Sequence, residues 1–173
     1  MIKTASIKNK LSLKYNLKEI GEDELNNIVD INISTVDNND INQYVDFNDL
    51  DYFPNLRRLK IQYCFIDREV LEKIIKLDKL EYISFIFCEF DDNIQNLMRE
   101  LKVRNFTIKK AINFRLEYLN NKEYEKLIIC DETIFNQLII DCDLLDISEC
   151  ILVDKFILLN FTVRKIVISY EEY

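Results

Sequence analysis

The sequence predicts an α/β solenoid, a stack of short parallel strands backed by helices or irregular segments. Residues 55–66 read NLRRLKIQYCFI and residues 79–90 read KLEYISFIFCEF, so apolar residues and a cysteine return at the same offsets 24 positions later. After residue 126, apolar triplets recur every 9 to 11 residues in KLIIC, QLIID, CILVD, FILLN and KIVIS. Repeats of roughly 20 to 50 residues indicate stacked units that share one continuous core.

The repeated unit has the pattern LxxLxLxxC, followed one position later by another apolar residue. In this register Leu59 aligns with Ile83, and Cys64 aligns with Cys88. Because side chains alternate between the two sides of a strand, the apolar residues of LxL are expected to point into the core. The same frame fits other inward positions upstream and downstream, at Ile31, Ile33, Phe106, Ile108, Leu127 and Ile129.

The pattern resembles the leucine-rich repeat family, in particular its short bacterial or phage members. This resemblance implies a horseshoe with a parallel concave sheet. Its convex side would be helical in the N-terminal two thirds and extended in the C-terminal third. Abundant Ile, Asn and Lys agree with a bacterial or phage chain.

A single domain is expected over residues 1–173, since the length is that of one ordinary domain. Residues 1–27 would form a helical cap with Ile7 and Leu11 inward, and residues 28–125 would form strand–helix repeats. The repeat helices are predicted at 67–77, with Asp67 as N-cap, and at 91–101, with Asp91 or Asp92 as N-cap. Residues 126–173 would form short strand-rich repeats that end in an edge strand near KIVISY.

Composition argues against an enzyme. The chain has no histidine and one glycine, so neither the Ser/His and Cys/His nucleophile systems nor a glycine-rich phosphate loop can be built. Five cysteines without a CxxC pair are interpreted as buried, reduced thiols. No metal site and no cofactor are predicted. A metal-dependent hydrolase that uses carboxylates is the least favoured alternative, because no cluster of ligands can be located.

Charge is divided unevenly along the chain. The net charge is −8, yet residues 1–18 contain five lysines and no acid, whereas residues 19–51 contain ten carboxylates and no base. An acidic protein repels phosphate, which argues against general nucleic-acid binding and leaves a basic partner open. No signal peptide and no stretch of about 20 apolar residues is present. We therefore expect a cytoplasmic protein that does not enter a membrane.

Function is expected on the concave face, through the outward positions of the strands. Ile86, Phe87 and Ile128 are the sharpest indications, because the repeat itself does not require them to be apolar. We expect protein binding by a protein inhibitor or immunity-type protein, whose partner has a complementary charged and apolar patch. The alternative is a structural protein that self-associates through its apolar C-terminal strands, as a homodimer formed at the edge strand. The predicted binding residues are Arg58, Lys60, Gln62, Tyr82, Ser84, Ile86, Asn105, Thr107, Lys109, Lys126 and Ile128.

Overall fold

The structure is a computed structural model that describes residues 2–13, 20–37, 40–41, 44–130, 133–134, 139–147, 150–152 and 161–167. Its α-helices are α1 (Ala5–Ser12), α2 (Glu22–Asn26), α3 (Arg68–Ile75) and α4 (Gln95–Glu100), and its 3₁₀ helices are η1 (Phe47–Tyr52) and η2 (Leu116–Leu119). The longer strands are β1 (Asp30–Ser34), β4 (Arg58–Gln62), β6 (Tyr82–Ile86), β8 (Asn105–Lys109), β9 (Glu123–Cys130), β11 (Ile140–Asp146) and β13 (Phe161–Val167). Two-residue strands are β2 (Val36–Asp37), β3 (Asp40–Ile41), β5 (Phe65–Ile66), β7 (Glu89–Phe90), β10 (Thr133–Ile134) and β12 (Ile151–Leu152).

The seven longer strands form one parallel sheet in chain order, β1-β4-β6-β8-β9-β11-β13. The pairing register is the one that the repeat predicts. Arg58 pairs with Tyr82, Tyr82 with Asn105, and Asn105 with Lys126. The alignment of the repeats is therefore confirmed at the level of strand pairing.

The predicted horseshoe is wrong. The sheet is an open, Rossmann-like parallel sheet that is neither closed nor curled, and the chain has an α/β fold rather than a leucine-rich repeat solenoid. The LxxLxL pattern records which side chains are buried and which strands pair. A horseshoe also needs a constant rotation from one unit to the next, and the pattern contains no information on that angle.

The core lies on the inward side of the sheet. Leu59, Ile61, Ile83 and Phe85 are fully buried, as the alternation of LxL predicts. Each such side chain contributes about 1.5–3 kcal/mol of transfer free energy on burial. Edge-to-face aromatic contacts extend this layer, with ring centroids 5.1 Å apart for Phe85 and Phe90.

Helices cover the inward side of the sheet. Helix α3 begins as predicted, because the Asp67 carboxylate accepts a hydrogen bond from the Val70 N–H at 2.9 Å. Helix α4 begins later than predicted, at Gln95, and neither Asp91 nor Asp92 is its N-cap. The Asp91 carboxylate instead accepts the Asn93 N–H at 2.9 Å. A local Asx turn therefore displaces the expected helix start.

The N-terminal segment covers the edge of β1. Helix α1 packs on this strand with Ile7 and Leu11 buried, and Ser34 N donates to Ser6 Oγ at 3.2 Å. Just ahead of α1, the buried Asp49 carboxylate accepts the Lys3 N–H at 2.8 Å. Helices α1 and α2 lie in the segment for which a helical cap was predicted, and α1 covers a strand edge that would otherwise be open.

The C-terminal third is rich in strands. KLIIC lies in β9, and β10 pairs with β12 in a separate two-stranded parallel sheet. Strand β13 ends the main sheet. FILLN and parts of QLIID, CILVD and KIVISY lie outside the described residues. Within the described part of the chain, no helix has the length and apolarity needed to cross a membrane.

Candidate functional site

The outward side of the main sheet, here called the outer face, brings the predicted residues together in three rows. Arg58 and Lys126 are exposed, and seven of the others are partly buried. Ser84 and Thr107 are buried, so these two residues do not offer a contact to a partner. The first row is Asp30, Arg58, Tyr82, Asn105, Lys126, Leu144 and Lys165; the second is Asn32, Lys60, Ser84, Thr107, Ile128 and Asp146; the third is Ser34, Gln62, Ile86, Lys109 and Cys130.

Arg58 is held in place by the strands on either side of it. Its guanidinium lies 3.5 Å from the Asp30 carboxylate on β1 and 5.0 Å from the centre of the Tyr82 ring on β6. The Tyr82 hydroxyl in turn lies 3.5 Å from Thr107 Oγ1 on β8. These contacts spread Arg58 and Tyr82 over the sheet, which lowers the entropy that either side chain would lose on binding.

The outer face is positively charged although the chain is acidic. Its rows contain five cations and two carboxylates, a net charge of 5 − 2 = +3, against −8 for the whole chain. The cations are Arg58, Lys60, Lys109, Lys126 and Lys165, and the carboxylates are Asp30 and Asp146. The remaining surface therefore carries the excess of acid.

At the amino ends of the strands, by contrast, charges of opposite sign pair with one another. From β1 to β9, one backbone carbonyl before each strand, such as that of Arg57, accepts the N–H groups of two successive residues on the next strand. This arrangement places opposite charges side by side in three exposed ion pairs with distances of 3.0 to 3.2 Å: Arg57–Glu81, Arg104–Glu125 and Arg164–Asp143. The amino edge is thus close to neutral.

The carboxyl ends of three strands carry a stacked ladder. Tyr63, Phe87 and Lys110 follow β4, β6 and β8, and all three have left-handed backbones, with φ of 54°, 52° and 50°. The Tyr63 and Phe87 rings are parallel within 4° at 4.9 Å, and Lys110 Nζ lies 5.4 Å from the Phe87 ring centre. A left-handed backbone costs about 1–2 kcal/mol for a residue other than glycine. This cost arises at the ends of three neighbouring strands, β4, β6 and β8.

Large apolar side chains remain exposed around the ladder. Tyr63, Phe65, Phe87 and Ile112, here called the carboxyl-edge patch, are 44%, 52%, 38% and 58% exposed. The sequence reasoning singled out only Phe87. A signal was present, because Tyr63 and Phe87 stand one residue before the aligned cysteines, directly after a strand. The patch borders the outer face, since Ile86 and Phe87 are consecutive.

The cysteines are packing residues in this part of the fold. The Cys64 thiol donates to the Gln62 carbonyl at 3.2 Å, and the Cys88 thiol donates to the Ile61 carbonyl at 3.4 Å. Burial raises the pKa of Cys64 to about 12 and also raises the pKa of Cys88. The prediction of buried thiols is confirmed for these two residues, neither of which forms a disulfide. Among the described residues, no group of three or more potential ligands could hold a metal ion.

A second, smaller group of cations lines a groove between α4 and β9. Arg99, Lys102 and Arg104 lie around it with Lys122, whose ammonium donates to the Met98 and Leu101 carbonyls at 2.6 and 3.0 Å. Burial lowers the pKa of Lys122 to about 8. Because its donors go to backbone carbonyls next to the end of α4, Lys122 serves as a C-terminal helix contact.

No known family model matches the chain, and no curated protein matches it. The resemblance to leucine-rich repeat proteins therefore stays a prediction.

Proposed function

We propose that the chain is a non-catalytic protein-binding module that engages its partner through the outer face and the adjoining carboxyl-edge patch. One observation carries the proposal. The stacked Tyr63 and Phe87 rings are exposed at the carboxyl ends of β4 and β6, and Phe65 and Ile112 are exposed on either side of Glu89, while the core is filled from the other side of the sheet. Exposed apolar groups that border polar ones are typical of protein interfaces, and tyrosine and arginine are enriched where binding energy concentrates.

The ladder favours a protein over a nucleic acid as the partner. Single-stranded nucleic acids bind exposed aromatic residues by stacking bases on open ring faces. In this ladder Tyr63 and Phe87 stack on each other, and Lys110 lies over the Phe87 ring. One ring face, on Tyr63, remains for stacking beside ring edges and aliphatic groups, which suits the side chains of a protein better than a run of bases.

The proposed role is that of an inhibitor or immunity-type protein that acts in the cytoplasm. Such a protein works by occupying a partner's surface, so it needs a preformed face more than a pocket. The fixed positions of Arg58 and Tyr82 support this role. The buried thiols of Cys64 and Cys88 are compatible with a reducing compartment.

A pull-down from the cells that produce the protein tests the proposal. The double variant Tyr82→Ala with Ile86→Asp removes an aromatic contact and adds a charge on the outer face. A matched control, Tyr44→Ala with Leu13→Asp, makes the same changes at exposed positions outside that face. The wild type and the control should recover the same partner, and the outer-face variant should lose it while its urea midpoint stays close to that of wild type. Equal recovery by both variants would refute the proposal.

Self-association is a second candidate, favoured by the position of β13 at the end of the sheet. A second copy could add its own β13 there and continue the parallel or antiparallel pairing. This candidate predicts a dimer in light scattering that forms as the concentration rises and disappears in Val167→Asp, at the position that pairs with Asp146 of the outer face. A monomer at every concentration would exclude it.

A further inference from the structure

We infer that the partner of the outer face is an acidic protein whose contact region combines carboxylates with apolar side chains. The inference rests on the proposed function and specifies the chemistry of that same site. The net charge of −8 for the whole chain points to a basic partner. The fold reverses this expectation, because strand pairing collects five cations on one face.

The cations are spread across the sheet in a way that a partner must match. They occupy β4, β8, β9 and β13, and five strand-to-strand steps separate β4 from β13. At about 4.8 Å per step, the cationic face is about 24 Å wide. An extended segment of about seven residues covers this distance, at about 3.4 Å per residue. A single carboxylate reaches only part of this width, whereas a run of carboxylates can follow it.

The borders of the face fix where charge and apolar groups must lie on the partner. At the amino edge, the cations are paired with acids of the same chain, such as Arg104 with Glu125 at 3.0 Å. At the carboxyl edge, the patch of Tyr63, Phe65, Phe87 and Ile112 presents apolar surface around one exposed carboxylate, Glu89, which stands between Phe65 and Ile112 and favours apolar rather than acidic groups of the partner there. Lys109 pairs with Ile86, the residue before Phe87, and Lys110 Nζ lies 5.4 Å from the Phe87 ring centre, so these two lysines lie where the rows meet the patch. The fitting partner therefore places its carboxylates over the rows and its apolar side chains over the patch.

Both regions contribute to recognition, in different ways. The cations steer an acidic partner and exclude a basic one, and their effect weakens as salt is added. The patch supplies contact area that salt does not screen. We expect the affinity for an acidic partner to fall with rising salt and to level off at a value set by the patch.

Fluorescence anisotropy with defined probes tests the inference on the full chain. The probe is a fluorescein-labelled peptide of three Glu-Glu-Leu repeats. Its controls are the Lys-Lys-Leu peptide of the same length and a labelled oligothymidylate. The variant Lys60→Glu with Lys126→Glu changes the charge of the face from +3 to −1. The variant Lys76→Glu with Lys102→Glu makes the same change in net charge at exposed positions outside the face.

The acidic peptide should bind to the wild type and to the Lys76/Lys102 control, with a Kd at least about tenfold weaker for the Lys60/Lys126 variant. The Lys-Lys-Leu peptide and the oligothymidylate should bind at least about tenfold more weakly than the acidic peptide. The inference is overturned if the acidic peptide does not bind, if both variants weaken it equally, or if either control probe binds as tightly.

The pull-down separates this inference from the proposed function. A partner that depends on Tyr82 and Ile86 but contacts the face with basic residues would leave the proposed function standing and overturn the inference. Recovery of the same partner by the outer-face variant would remove the proposed function itself. Far-ultraviolet circular dichroism of all variants establishes that lost binding does not reflect unfolding.

Discussion

Substituting Phe87 by glycine and by alanine tests the energetic cost of the left-handed turn that follows strand β6. Phe87 has φ of 52°, and its ring stacks on Tyr63 at 4.9 Å. Both Phe87→Ala and Phe87→Gly remove the ring, so their difference reports on the backbone alone. Phe65 provides the matched control, because it is an exposed aromatic residue in strand β5 whose φ is not positive.

The magnitude follows from two opposing effects. Alanine in a left-handed backbone costs about 1–2 kcal/mol that glycine does not. Glycine loses more conformational freedom on folding, which costs about 0.5–1 kcal/mol relative to alanine. At position 87 we therefore expect glycine to be more stable than alanine by about 0.5–1 kcal/mol. At position 65 we expect glycine to be less stable by the same amount. The difference between the two sites, about 1–2 kcal/mol, is the cost of the left-handed backbone.

Urea unfolding of the four variants measures these differences. The chain has no tryptophan and nine tyrosines, so circular dichroism and tyrosine fluorescence are the signals. Equal slopes of free energy against urea are required for the comparison. The reasoning fails if Phe87→Ala is as stable as Phe87→Gly, or if glycine is favoured equally at both positions.

Three further predictions concern buried polar groups. The hydrogen bond from Lys3 lowers the pKa of Asp46 from its ordinary 3.8 to about 2, so the stability that Asp46 contributes is present above pH 3.8 and lost as the pH falls to 2. The difference in unfolding free energy between wild type and Asp46→Asn should therefore shrink over that range. A constant difference would contradict this. Burial lowers the pKa of Lys122 to about 8, so the protonated amine makes the folded state less stable. The unfolding free energy of the wild type should therefore rise relative to that of Lys122→Met between pH 8 and 10.5. A difference that does not change with pH in urea titrations would count against it. Ser84 Oγ is buried without a hydrogen-bond partner among the described residues, so Ser84→Ala should be neutral or stabilise by about 1 kcal/mol, and a loss of stability in thermal unfolding would show a missing partner.

The sequence was sufficient to predict the strand pairing but not the shape of the sheet. Leu59 and Ile61 are buried and pair with Ile83 and Phe85, as the 24-residue repeat requires. Burial and pairing are properties of neighbouring strands, and a local pattern records them. The angle between successive units depends on how much wider the helical side is than the strand side along the whole chain. The repeat pattern does not contain this information, so a horseshoe was predicted in place of an open sheet.

The candidate site was predicted in part for a similar reason. Register alone placed Tyr82, Ile86 and Lys126 on one face, and the pairings agree. The burial of Ser84 depends on how neighbouring side chains cover it, which strand alternation does not describe. The positive charge of the face was also missed, because charges distant in the chain come together only through the fold.

Hydroxyl-radical footprinting of the protein with its recovered partner tests the central claim most directly. The method reads the accessibility of aromatic side chains, and the molecule contains its own controls. Tyr63, Tyr82 and Phe87 belong to the proposed surface, whereas Tyr44 and Tyr52 are exposed elsewhere. The account predicts that the partner slows oxidation of the first three residues and leaves Tyr44 and Tyr52 unchanged. Protection of Tyr44 and Tyr52 with unchanged oxidation of Tyr63, Tyr82 and Phe87 would contradict it.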